Sequence, residues 1–258
     1  MRKLIVLLLV MLVALPSFAQ EVVTIGGADC DVHGSARVGS KEYVLNVYKN
    51  RYTFPAASDF DKKINLGDLA KSDDPNEFNP DKAVVVTGYV YDVKVGGVET
   101  CNCKTKEAAF RDTHIELTVA ENKTGPEHRV IAEVTPRIRA IMEDKGLDWS
   151  TKALKKSIKG HWVKIAGWLM YDGEHELEAF ANDPSNGIGS KNWRATCWEI
   201  HPVTYMEILS SKDDVNNTNI PQESNSVQSP PKRTSTPYAL ILVIAVVVFI
   251  AVYLYFKK

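Results

Sequence analysis

Apolar and polar positions alternate with a period of two through much of residues 83–209, the pattern of strands with one face in a core. Ala83 to Val95 is β-branched and aromatic along its length, with Gly88 where a long strand can coil. Thr113, Ile115, Leu117 and Val119 alternate with His114, Glu116 and Thr118 to give a second strand, and Val130, Ala132 and Val134 mark a third. Pro136 ends that extended run. Ile138–Glu143 and Thr151–Ile158 carry helical spacing divided by Gly146, with Ser150 as an N-cap and Gly160 as the stop. Trp162–Met170 reads as the fourth strand and Arg194–Leu209 as a long fifth, bent at Pro202. This order predicts an all-β fold with one inserted helical region: an OB-like five-stranded Greek-key barrel over residues 81–210. Residues 20–80 hold too few apolar positions for a core of their own and are expected to lie over the barrel as an N-terminal strap.

The chain ends are patterned differently. Leu4–Leu15 is apolar behind Arg2 and Lys3, and small residues follow at Ser17 and Ala19, so residues 1–19 read as a cleaved secretory signal. Tyr238–Phe256 carries no charge and is rich in Val, Ile, Leu and Ala, which predicts a C-terminal transmembrane helix over 238–256 with a two-residue cytoplasmic tail at 257–258. Residues 211–237 are mostly Ser, Asn, Asp, Gln, Pro and Thr, the composition of a flexible tether. Together these segments predict a single-pass bacterial cell-membrane protein with its barrel on the periplasmic or extracellular side.

Charge narrows the partners. The chain is close to neutral, with 31 Lys and Arg against 32 Asp and Glu. Between Asp81 and Ser210 the count is 17 against 19, a net of −2, where binding to nucleic-acid phosphates calls for a basic stripe. Nucleic acid is therefore not the expected ligand, in spite of Trp162, Trp168, Trp193 and Trp198. Export permits disulfides among Cys30, Cys101, Cys103 and Cys197; Cys101 and Cys103 are too close in sequence to bridge each other without strain, and a bridge from one of them to Cys30 or Cys197 is easier. The pairing stays open, as does a thiolate role for the same cysteines.

Strand alternation also gathers chemistry on polar faces. Asp112, His114 and Glu116 share one face of the second strand, and Cys197, Glu199 and His201 share one face of the fifth. His175, with Asp172 and Glu174, follows the fourth strand and can approach the same side. Imidazole, carboxylate and thiolate suit zinc or another transition metal, so His114, His175, Glu199 and His201 are the candidate ligands, with Asp112, Glu116 and Cys197 as neighbours. The plainer reading is polar pairing, with His114 meeting Glu199 or Glu116 across the sheet.

Four stretches carry a resemblance: Thr87-Gly88-Tyr89-Val90-Tyr91-Asp92-Val93-Lys94, Gly96-Gly97-Val98-Glu99-Thr100-Cys101-Asn102-Cys103, Arg111-Asp112-Thr113-His114-Ile115-Glu116-Leu117, and Trp193 through Thr204. With Gly167–His175 between them, the set resembles a group of uncharacterised bacterial exported proteins with an OB-like barrel. The resemblance implies a common fold over roughly residues 44–209 and a bacterial envelope origin, and it lends no catalytic roles. The expected function is a membrane-anchored exported binding or envelope-assembly protein, with the cell membrane and an envelope protein or small ligand as partners. The alternative is a metal-binding protein or metal-dependent hydrolase built on the His/carboxylate face.

Overall fold

The structure, a computed structural model, describes residues 23–72, 74–181 and 192–210. Five strands close into a barrel in the order β3-β4-β5-β7-β6, with β3 Ala83–Val95, β4 Thr113–Thr118, β5 Val130–Val134, β6 Trp162–Tyr171 and β7 Trp198–Ile208. All neighbours are antiparallel except β5 and β7, which run parallel. A small hairpin of β1 (Val23–Ile25) and β2 (Ala28–Cys30), then α1 (Lys41–Lys49) and α2 (Leu66–Leu69), precede the barrel. Helices α3 (Pro136–Asp144) and α4 (Thr151–Ile158) sit between β5 and β6.

The core follows the strand alternation. Val84, Val86, Val90, Val93, Ile115, Leu117, Val130, Ala132, Val134, Ile165, Leu169, Ile200 and Val203 fill the barrel interior, and Ile138, Leu154 and Ile158 add the apolar faces of α3 and α4. Each helix starts on a hydroxyl cap: Thr135 accepts from Ile138 N–H and Ser150 from Ala153 N–H, leaving fewer orphan amides at the helix starts. Gly146 and Gly160 stop the two helices at positive φ, 78° and 79°. Two strand glycines are required by packing. At Gly88 a Cβ would lie 2.7 Å from Leu66 Cδ2, so α2 rests on the glycine in β3. At Gly167 a Cβ would meet Pro202 O at 2.3 Å and Ile200 Cγ2 at 2.7 Å, where the β6–β7 register shifts.

The outward face of the β4-β5-β7 wall is not left to water. All six residues of β4 and all five of β5 are buried, because the chain before the barrel and the loop after β3 roof that wall. A disulfide between Cys30 and Cys103 ties the hairpin to the loop. Asn50 donates to Val32 O and Cys101 O, Asn46 donates to His33 O and Thr100 Oγ1, and Arg137 on α3 donates to Cys30 O and Asp31 O. Residues 41–49, left without an assigned element in the sequence, form a helix capped by Ser40, and its last residue, Lys49, carries a buried ammonium under the roof.

The expectation of a membrane protein is corrected. No helix of the described residues is long and apolar enough to cross a membrane. The longest, α1 and α3, have nine residues each, which at 1.5 Å per residue rise about 13 Å against a hydrocarbon core of about 30 Å. The signal expected at 1–19, the tether at 211–237, the transmembrane helix at 238–256 and the tail at 257–258 lie outside the described residues. The single-pass topology, the cell-membrane partner and the periplasmic or extracellular placement rested on those segments; the described residues form an OB-like closed barrel with inserted helices.

The close approach at Gly167 gives a stability prediction. Gly167→Ala forces a methyl against backbone that has no room to yield, and should cost on the order of 1–3 kcal/mol. Urea unfolding of the two proteins checks it, and an unchanged midpoint would contradict the packing described at the β6–β7 bend.

Candidate metal centre

Register alone brings the central residues together. His114 on β4 stands opposite Glu133 on β5, while Ile131 and Ala132 on β5 stand beside Glu199 and Ile200 on β7, so Glu133 comes next to His201. His114 Nε2 lies 2.6 Å from Glu133 Oε1, and His201 Nδ1 lies 3.5 Å from Glu133 Oε2 and 3.2 Å from Glu199 Oε2. His114 thus pairs with Glu133 through Nε2, and its Nδ1 has no hydrogen-bond partner. Glu199 in turn receives Arg194 Nη1 at 2.6 Å, and the same nitrogen lies 3.9 Å from Asp172. Asp172 accepts from His175 Nδ1 at 2.8 Å. Lys49 closes the circuit from above, 2.7 Å from Glu99, 3.1 Å from Glu174 and 3.5 Å from Asp172.

Carboxylates outnumber fixed cations. Glu99, Asp112, Glu133, Asp172 and Glu199 converge here, against Lys49 and Arg194 as permanently charged groups. Ionised carboxylates removed from water need compensation by a cation or by hydrogen bonds. The histidines respond to this. Burial by itself lowers the His201 pKa, but Glu133, the Glu199 hydrogen bond and Asp112 outweigh it and raise it to about 9. Burial likewise lowers His114 and His175, and their carboxylate neighbours Glu133 and Asp172 reverse the shift upward. Glu133 is pushed up by burial yet held low by His114 and His201, whereas Asp112 is raised by burial and then by the Glu133 charge. Asp172 would also be raised by burial, but Lys49 and His175 hold it well below the usual carboxylate range.

Two trios at this point can hold a metal ion: Asp112, Glu133 and His201, and Glu99, Cys101 and Asp112, with the ligand atoms of each trio within 4.8 Å of one another. Each member of the first has a buried atom without a hydrogen-bond partner, namely Asp112 Oδ1, Glu133 Oε2 and His201 Nε2, and His114 Nδ1 lacks one too. A pocket of about 550 Å³ opens beside them, lined by Lys94, Gly96, Glu99, His114, His175 and Trp193 among others.

The residues singled out in the sequence divide three ways. His114 and His201 meet through Glu133, and Asp112 lies within reach of both Glu133 and His201. Glu199 has both oxygens engaged, one by Arg194 and the other by His201, so it orients His201. His175 sits at the pocket side, bound to Asp172 and separated from the trio by Arg194 and Glu199. Glu116 leaves the group, held at Lys94 and Arg129. Pairing of His114 with Glu116 or Glu199 is corrected to pairing with Glu133, its register partner. Cys197 is a buried free thiol raised to about 12 by burial, and Cys30 bonds Cys103, leaving Cys101 free and facing Glu99 and Asp112. Glu133, Lys49 and Arg194 were not foreseen. The alternation in Val130–Val134 does put Glu133 on the face of His114, and only the strand order was missing.

No family model matches the chain, and no curated protein matches it. Among solved structures it is similar to a chain of the S. pombe Stn1–Ten1 complex, at 12% identity and a TM-score of 0.24, covering 51% of this chain and 61% of that one. It is also similar to Entamoeba histolytica asparaginyl-tRNA synthetase, at 13% identity and a TM-score of 0.25, covering 63% of this chain and 26% of that one. The chain thus spans less than two thirds of either protein, and overlaps this loose say nothing of its ligand.

The charge balance fixes a pH dependence for the metal-free protein. The folded pKa of His201, about 9, stands above its ordinary value of 6.5. Its protonation therefore stabilises the fold fully below the ordinary value, and that contribution is lost as the pH rises through the folded one. The loss should be on the order of 3 kcal/mol. Urea midpoints of chelator-treated protein from about pH 6 to about pH 10, with an imidazole NMR titration, test this. A His201 resonance titrating at its ordinary value contradicts it.

Proposed function

We propose that this domain is a metal-binding protein whose ion is a transition metal, zinc by preference, held by Asp112, Glu133 and His201 with His114 as the fourth ligand. The observation that carries the reading is the clustering of buried ligand atoms on Asp112, Glu133 and His201, within 4.8 Å of one another, in a region with more carboxylates than fixed cations; each of the three also has a buried atom without a hydrogen-bond partner. Two imidazoles and two carboxylates suit zinc, which accepts four tetrahedral ligands of these types. His201 has the arrangement of a metal-bound histidine, its Nδ1 facing the Glu199 carboxylate and leaving Nε2 for the ion. Arg194 fixes that carboxylate in turn. A divalent ion in this position takes over the compensation that protonated imidazoles otherwise supply. The side chains of the trio are at most 4% exposed, so the centre resembles a closed binding site more than one with a position open to substrate.

Untagged protein stripped with chelator should take up zinc and unfold at a higher temperature with it, by about 2.7 kcal/mol of stability when free zinc is 100-fold above its Kd. His201→Ala should weaken the tightest ion by at least about 100-fold, and Glu199→Gln, which keeps every ligand, by about 10–100-fold. Calorimetric titration with circular dichroism as the folding control measures all three. Wild-type protein that takes up no ion, or folded variants that bind as wild type does, would overturn the reading.

A further inference from the structure

Asp112 belongs to both trios, and its two oxygens face different ways. Oδ2 lies 3.8 Å from Cys101 Sγ and accepts from Asn102 Nδ2 at 2.8 Å, while Oδ1 has no hydrogen-bond partner in a residue only 2% exposed. Cys101 Sγ lies 3.5 Å from Glu99 Oε2. The loop that presents Glu99 and Cys101 is held from several sides: the Cys30–Cys103 disulfide, Asn50 on Cys101 O, Asn46 on Thr100, and Ser35 N–H on Thr100 O. Gly34 passes so close that a Cβ there would lie 1.9 Å from Thr100 O. Lys49 holds the Glu99 carboxylate through Oε2. So much fixation of one short loop positions a thiol among carboxylates, where burial and the Asp112 and Glu99 charges raise its pKa well above the ordinary thiol value.

From this geometry we infer, resting on the metal-binding reading above, that the site is dinuclear: Asp112 bridges the inner ion to a second divalent transition-metal ion bound by Glu99 and the Cys101 thiolate. A carboxylate bridging through its two oxygens suits ions about 3.5–4 Å apart. The charges support the same arrangement. Glu99, Asp112, Glu133, Asp172, Glu174, Glu199 and a Cys101 thiolate outnumber Lys49 and Arg194, and two divalent ions offset most of that excess with His114, His175 and His201 neutral. On binding, the Cys101 proton leaves to solvent and a metal–sulfur bond takes its place; no oxidation is involved. A thiolate ligand also sets a preference, favouring zinc, cobalt or another thiophilic ion over magnesium or calcium at this second position. Glu99 lines the pocket, so the second ion is the one that exchanges with solvent.

Cobalt(II) serves as the probe, loaded into untagged, disulfide-intact protein stripped of metal. Native mass spectrometry should give two ions per chain, and the absorption spectrum a near-ultraviolet thiolate-to-cobalt charge-transfer band. Cys101→Ser should halve the bound cobalt and abolish the band while the remaining ion stays; Glu99→Gln should also halve the cobalt, which guards against a local folding defect in the cysteine variant. One ion per chain without the band overturns the dinuclear centre and leaves the metal-binding reading standing. No ion at all overturns both.

Discussion

Four carboxylates, from Asp112, Glu133, Asp172 and Glu199, are withdrawn from water, with Glu99 at their edge, beside Lys49 and Arg194 as fixed cations. Everything around the outer face of the β4-β5-β7 wall answers to that imbalance. A bare barrel would leave this face to solvent, where such charges are screened and contribute little. The N-terminal segment and the loop after β3 seal it instead, and their own polar atoms, on Asn46, Asn50 and Arg137, are spent on backbone carbonyls of the seal. The seal thereby raises the free-energy cost of every unmatched charge beneath it. What compensates that cost, a proton on each imidazole or an ion between them, is the question on which the function turns.

The strands were legible because they alternate. Ala83–Val95, Thr113–Thr118 and Val130–Val134 each show their core face directly, and the helix cap at Ser150 follows from local hydrogen bonding, whereas the cap at Thr135 was missed because Pro136 read as the end of a strand and not as the first residue of a helix. The same alternation put His114 and His201 on polar faces. It did not reveal that the face is buried, since that depends on a roof from a segment more than sixty residues away in the chain, as the Cys30–Cys103 separation of 73 shows. Lys49 and Arg194 were illegible for the same reason: a lysine in an unassigned stretch and an arginine at the start of the expected fifth strand read as solvated until the packing places them. Glu133 was hidden more thinly. Its strand has five residues, and the parallel β5–β7 pairing that sets it beside His201 cannot be deduced from alternation.

Within the OB-like barrel, the site lies on the outside of the wall, and the barrel interior is filled by aliphatic side chains and α3 and α4. The fold's contribution is register. Three neighbouring strands present His114, Glu133 and His201 in a row at strand spacing, which regular backbone holds more rigidly than loops would. The loop residues Glu99 and Cys101 complete the arrangement only because a disulfide and an asparagine pair hold them there. Rigid strands for the inner trio and a clamped loop for the outer one divide the work between fold and roof.

The most direct measurement is anomalous diffraction at the zinc edge from crystals of protein stripped of metal and reloaded with zinc. The account predicts a peak bonded to Asp112, Glu133 and His201, with zinc–nitrogen distances of about 2.0–2.1 Å. Crystals in which these three side chains contact only each other, ordered water or Lys49, with no anomalous peak between them, would contradict it.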